Sequence, residues 1–233
     1  MSGNETWARA LAGRMLPGEK FRWELYSQVL TSVLNPSKPW LDLGCGHSDF
    51  IAEHAGRASP AVGVDLMHGS PPPGLFAVAR IERLPFADNT AGTISLRFVL
   101  EHIENPEELW RECLRVLAPG GRLLLITTNK ISPAVIAARL LPSGLKTRLI
   151  GTLFDVTERD VFPTFHRWNS PGRLVSPPPG FSLERVEYVE ALDWTRRPLF
   201  LAQMMVAKLS RPSLLRKFRS NVLVVYRKDG GPE

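Results

Sequence analysis

Two glycines one residue apart, Gly44 and Gly46, follow the apolar run Trp40–Leu43, and an acid, Asp65, closes the next apolar run. Glycine lets the main chain come close to a ligand where a Cβ would collide. A dinucleotide fingerprint needs a third glycine, and Asp49 stands in its place. The turn therefore suits an adenosine-containing ligand without a pyrophosphate better than it suits NAD. An acid at the end of the second strand of such a site bonds ribose hydroxyls, which makes Asp65 the candidate. The alternative is a helix-capping or solvated Asp.

A proton acceptor is the second chemical element to look for. Glu101-His102 closes the apolar run Thr93–Leu100, and open α/β sheets bind ligands at the carboxyl ends of their strands. His102, titrating near neutrality, is the general-base candidate; otherwise the pair is structural. His166, in VFPTFHRW, is a second catalytic candidate on a lid segment, or a packing residue. Phe162, Phe165 and Trp168, with Trp23 and Tyr26, form either the wall of an acceptor pocket or ordinary core. Cys45 and Cys113 form no C-x-x-C pair and read as reduced thiols. No His/Asp/Glu group has ligand spacing, so no metal is expected.

These residues need a scaffold. The periodicity predicts a helix over 21–34, strands over 40–43, 61–65, 75–79 and 93–100, and a helix over 49–57 capped by Ser48. The prolines at 71–73 keep 68–74 from being helical for long, and 84–92 reads as a loop. Pro106 opens a helix over 106–117, Pro119-Gly120-Gly121 makes a turn, and 122–128 is a fifth strand. Strand–helix alternation implies a parallel α/β sheet with right-handed crossovers. Residues 131–150 and 198–218 read as apolar, basic helical segments, 171–180 holds a short helix at most, and 181–190 and 221–228 read as strands.

Together, WLDLGCG, VGVD, ERLPFADNT, FVLEHIENPEELWRECLRVLAPGGRLLL and the strands after Gly180-Phe181 resemble a class I S-adenosylmethionine-dependent methyltransferase. The closest subgroup is the small-molecule type that includes the ubiquinone/menaquinone methylases. The resemblance implies a Rossmann-like, seven-stranded, mostly parallel sheet, with helices on both faces and an antiparallel last strand. It implies S-adenosylmethionine as cofactor, with Gly44, Cys45 and Gly46 against the methionine part and Asp42 near its ammonium. Asp65 would hold the ribose, Leu66 would lie against the adenine, Ile81 and Glu82 along the adenine edge, and Arg97 near the methionine end. Two positions depart from the pattern. Arg80 stands where an acid commonly accepts from the adenine amino group, and Arg accepts no hydrogen bond. Ala91-Gly92 replaces Phe-Asp, which is expected to loosen packing there.

The 233 residues read as a single domain, with a cofactor-binding core over 20–130 and insertions over 131–170 and 194–220 forming a substrate cap. Hydrophobic residues make up 44% and charged residues 22%, which argues against disorder. Nine of the 29 Lys/Arg and none of the 23 Asp/Glu fall between Trp194 and Lys228, and Asn129–Phe154 is also acid-free. The positive field is thus local and marks a place for an anionic partner. The expected acceptor is small or amphiphilic, lipid-linked or anionic, and methylated at oxygen. Peripheral contact with an anionic membrane surface is the further expectation; a soluble lid with its apolar face buried is the alternative. Nucleic acid is disfavoured, for want of an RNA-binding module or an Asn/Asp-Pro-Pro-Tyr/Phe motif. A catalytically silent binding subunit is the non-enzymatic rival, favoured by Arg80 and Gly92. The first residues lack a secretory pattern and no apolar run reaches transmembrane length, so a cytoplasmic location is expected. Oligomeric state is not legible.

Overall fold

The computed structural model describes residues 3–47, 49–66, 74–140 and 163–230, with the side chains of 138–140 left aside. Ser48 as a cap, His68 and the proline run, Phe162, and the part of the first insertion over 141–162 lie outside them. The elements are α1 (Gly3–Met15), α2 (Arg22–Val33), β1 (Trp40–Leu43), α3 (Phe50–His54), β2 (Ala61–Asp65), β3 (Leu75–Val78), β4 (Ala91–Arg97), α4 (Pro106–Val116), β5 (Leu117–Thr128), α5 (Pro133–Leu140), α6 (Pro171–Leu174), β6 (Phe181–Val189), α7 (Arg197–Leu209), α8 (Ser213–Arg216) and β7 (Asn221–Lys228).

Contacts group the chain into two compact units. One comprises Met1–Leu25, Thr128–Thr164 and Tyr188–Val222; the other Tyr26–Thr127, Phe165–Glu187 and Leu223–Glu233. Each is discontinuous in sequence, whereas the sequence reading expects one domain with two insertions. The first unit takes up the N-terminal helix as well as most of both insertions.

The sheet runs β3-β2-β1-β4-β5-β7-β6. The pairs β2–β3, β1–β2, β1–β4 and β4–β5 are parallel. The last strands are antiparallel: Asn129 N–H donates to Ser220 O at 2.8 Å, and Asp229 N–H to Gly180 O at 3.0 Å. β1 is buried at every position, as expected of a strand covered on both faces. α4 opens on Pro106 and buries Leu109, Trp110, Cys113 and Val116, a helical stripe that fits the amphipathic pattern. The chain leaves β1 toward β2 and β3 and returns to β4 on the other side. Strand order therefore reverses between β1 and β4, and the crevice at their carboxyl ends is the ligand position of such a sheet.

Three local differences from the sequence reading have physical reasons. β4 starts at Ala91 and ends at Arg97 rather than running 93–100. Phe98 then takes φ +56°, and Leu100–His102 form a 3-10 turn. Ala91-Gly92 does not loosen packing: a Cβ on Gly92 would stand 2.7 Å from Lys38 Cβ, so the small residue permits a tight contact. β5 starts five residues early, because Leu117 pairs with Ala91 before an irregularity restores the register at Arg122.

In the first unit, α1 has no counterpart in the sequence reading. Ala8, Ala12 and Leu16 pack with Phe21, Leu192, Phe200, Met204 and Ala207. Arg219, 5% exposed, is held by both oxygens of Glu19, at 2.6 and 3.0 Å, and donates to Tyr188 O.

Candidate active site

The glycine turn is built by β1 and β2. Gly44 and Cys45 N–H both donate to Val64 O, at 2.8 and 3.3 Å, which folds the chain back over the end of β2. Gly44 has φ +67° and Gly46 φ +60°, a region where a Cβ is strained. A Cβ on Gly44 would collide with the Val99 side chain, whereas no described residue lies within 4 Å of the Cβ position of Gly46. The turn is thus pinned on one side and open on the other. Gly46 N–H donates to Asp65 Oδ2 at 2.9 Å, which joins the two sequence motifs.

Beneath the turn lies a buried polar chain that the sequence reading resolves only in part. Asp42, 1% exposed, stands opposite Ser95 in the β1–β4 register. Trp40 Nε1–H donates to Ser95 Oγ at 2.8 Å, and Ser95 Oγ–H to Asp42 Oδ1 at 2.6 Å. Arg97 Nη2–H donates to Asp42 Oδ2 at 2.7 Å and to Cys45 O at 3.4 Å, with its guanidinium 4.1 Å from the Phe50 ring centre. Burial works to lower the Arg97 pKa, but Asp42 outweighs it and the net shift is upward. Both carboxylate oxygens of Asp42 therefore serve protein donors, and Asp42 and Arg97 act on the turn from below. Burial, then the Asp42 and Asp65 charges, push the Cys45 thiol up to about 12, so it stays a thiol. Ser95, Trp40 and Phe50 are the members missed from sequence. The β1–β4 register, which strand periodicity alone does not fix, would have found Ser95.

The adenine-side residues fall around the end of β2. Ala79 N–H donates to Asp65 O at 3.1 Å, so 79–83 returns to the sugar-binding candidate. Leu66 is exposed, Ile81 is buried, and Glu82 lies 3.6 Å from the guanidinium of the outward-facing Arg80. Glu82 thus retains an acceptor beside the position where Arg80 lacks one. The loop after it is clamped to α4. Arg115 donates to Leu84 O, Phe86 O and Asp88, and Glu112 Oε1 accepts from Leu84 N–H at 2.6 Å.

Both histidine candidates gather around Glu101. The Glu101 carbonyl accepts from Phe165 N–H at 2.8 Å and His166 N–H at 3.2 Å, and His102 follows Glu101 in the 3-10 turn. The Glu101 carboxylate is buried and accepts from Thr127 Oγ–H at 2.8 Å; Asn169 Nδ2 donates to the same Thr127 oxygen. This fixes the 165–169 segment beside the carboxyl end of β4. His102 and His166 are both half-buried. Two of the aromatic residues have ring partners of their own. Trp168 packs edge-on against Trp110 at 5.8 Å, and Tyr26 is fully buried against Phe50 at 5.6 Å.

The first unit holds its own cavity of about 280 Å³ between α5 and α7. Pro133, Val135, Leu199, Ala202, Val206 and Phe218 give it an apolar wall, and Arg22 and Glu190 border it. Burial pushes the Glu190 carboxyl up, while hydrogen bonds from Ser220 Oγ–H and N–H hold it back. Burial likewise lowers the Arg22 guanidinium, against the pull of Asp193 and Glu190.

Comparison with known proteins agrees with this geometry. Residues 41–125 match the family described as Methyltransferase domain. Over those residues the chain is similar to a methyltransferase domain. The chain is 30% identical over 124 residues to the ubiquinone/menaquinone biosynthesis C-methyltransferase UbiE of Ectopseudomonas mendocina (strain ymp), covering 46% of this chain and 48% of the relative. The chain thus matches under half the length of that relative. An S-adenosylmethionine dependent methyltransferase from Mesorhizobium loti shares the fold at TM-score 0.53 and 20% identity, over 86% of this chain and 96% of that one. The [4+2]-cyclase SpnF shares it at TM-score 0.54 and 16% identity, over 92% and 86%. These likenesses identify the scaffold, and the residues of the site must carry the chemistry.

Proposed function

We propose that this protein transfers a methyl group from S-adenosylmethionine to a small, amphiphilic acceptor, at oxygen. The observation that carries the reading is the Gly46–Asp65 hydrogen bond beside an open glycine turn at the point where strand order reverses. The residues fit the cofactor. Gly44 and Gly46 expose main chain to it, Asp65 keeps Oδ1 for a ribose hydroxyl, and Ile81 and Glu82 border the adenine edge. Arg97 and Asp42 hold the turn in shape. When bound, the sulfonium supplies an activated methyl group, so the protein needs chiefly to align the acceptor. His102, with His166 as second candidate, takes the proton from an acceptor hydroxyl.

Amphiphilic character follows from the apolar, basic segments 131–150 and 198–218, whose lack of acids suits an anionic group on an apolar acceptor. Oxygen is favoured because a hydroxyl needs only a proton acceptor, which the Glu101 locus offers twice. The test is incubation of purified protein with isotopically labelled S-adenosylmethionine and an organic-solvent extract of cells. A labelled product bearing an O-methyl group is expected. Label on carbon would align the protein with its C-methyltransferase relatives and overturn the oxygen assignment. Cofactor binding without transfer to any fraction would leave a silent binding subunit in place of an enzyme.

A further inference from the structure

The helical pair α7–α8 has an outward face that no described residue covers. Phe200, Met204 and Ala207 turn into the core of the first unit, and Leu199, Ala202 and Val206 turn to its cavity. Leu201, Met205 and Leu209, four residues apart, are 47%, 64% and 68% exposed. They make one row about 12 Å long at 1.5 Å rise per residue. Leu214 (80%) and Leu215 (43%) continue the exposed apolar surface in α8. Lys208, Arg211, Arg216 and Lys217 are exposed among them, in a stretch with no acid from Trp194 to Lys228.

We infer that α7–α8 is a docking face for an anionic lipid bilayer. Isolated exposed apolar side chains are ordinary, but a row of them is a site for association. Cations interleaved with the row select its partner. On an anionic bilayer the Leu and Met side chains enter the acyl boundary while Lys and Arg extend to the headgroups. A nucleic acid would satisfy the cations and leave the apolar row in water, and a second copy of this chain would set like charges against each other. The described helices include none long and apolar enough to cross a membrane, so the contact is peripheral. This inference does not depend on methyl transfer.

Flotation with phosphatidylcholine vesicles, with and without phosphatidylglycerol, tests it. The intact protein is expected to float with the anionic vesicles at low salt and to be released by high salt. The exposed-site doubles Leu209→Glu/Leu214→Glu and Lys208→Glu/Lys217→Glu, both checked for unchanged circular dichroism and unchanged S-adenosylhomocysteine binding, should each weaken partition by roughly tenfold or more. No flotation at low salt, or flotation unchanged in both doubles, would overturn it. So would a concentration-dependent dimer abolished by Leu209→Glu/Leu214→Glu, or RNA binding that competes fully with the vesicles and ignores that double.

Discussion

Gly46 N–H donates to the Asp65 carboxylate at 2.9 Å. The bond ties the turn after β1 to the tip of β2 and orients the carboxylate by one oxygen, while among the described residues no hydrogen bond reaches the other. On the proposed reading, main-chain shape and sugar recognition are a single device.

The polar chain beneath this turn should be energetically expensive to break. Removing one partner of a buried ion pair leaves the other charged and unsolvated, at about 3–5 kcal/mol. Arg97→Leu, which strands Asp42 at 1% exposure, is expected to lose stability of about that size in urea unfolding, and Arg97→Lys less. A change below about 1 kcal/mol would show that Asp42 reaches solvent.

Gly44 has two separate reasons to be glycine, its φ of +67° and the nearness of Val99. Gly44→Ala should destabilise by about 1–3 kcal/mol. Combining it with Val99→Ala removes the collision and leaves the backbone strain, so the pair should be less destabilising than the sum of the singles. Strict additivity would contradict the contact.

Acid sensitivity follows from the clamp on α4. Hydrogen bonds from Arg115 hold the Glu112 carboxyl below its ordinary range, with burial opposing. A folded-state pKa below the unfolded one means that the stabilisation is complete above the unfolded value, about 4.3, and is lost as pH falls through the lowered folded value. The stability gap between the wild type and Glu112→Gln should be constant from about pH 7 to 5 and shrink below about pH 4. A gap that widens on acidification would have the wrong sign.

The Glu101 locus makes a kinetic prediction. His102→Ala should lower kcat about a hundredfold or more, with cofactor affinity unchanged. His166→Ala should show the smaller effect of a second candidate. Equal loss of binding and rate would make both residues structural, acting through the 165–169 segment.

The β-strands of the core were legible because buried parallel strands are short, continuous apolar runs bounded by Gly, Pro and Asp. Asp65 and the glycines stood out for the same reason, as they interrupt such runs. What could not be read was register. Ser95 opposite Asp42 and Leu117 opposite Ala91 are set by cross-strand pairing. α1 was illegible for another reason. Its buried face is largely the small residues Ala8 and Ala12, which give little hydrophobic periodicity while allowing a close approach. The Glu101 locus needs contacts across some 60 residues, and nothing local in VFPTFHRW announces its anchor at Glu101.

Isothermal titration with S-adenosylhomocysteine, comparing the wild type with Asp65→Ala, tests the central claim most directly. The account predicts one site per chain in the wild type and affinity reduced about tenfold to a hundredfold in the variant, the worth of a charged hydrogen bond. NAD should give no heat in either protein. A wild type that does not bind, or a variant that binds as tightly, would contradict it.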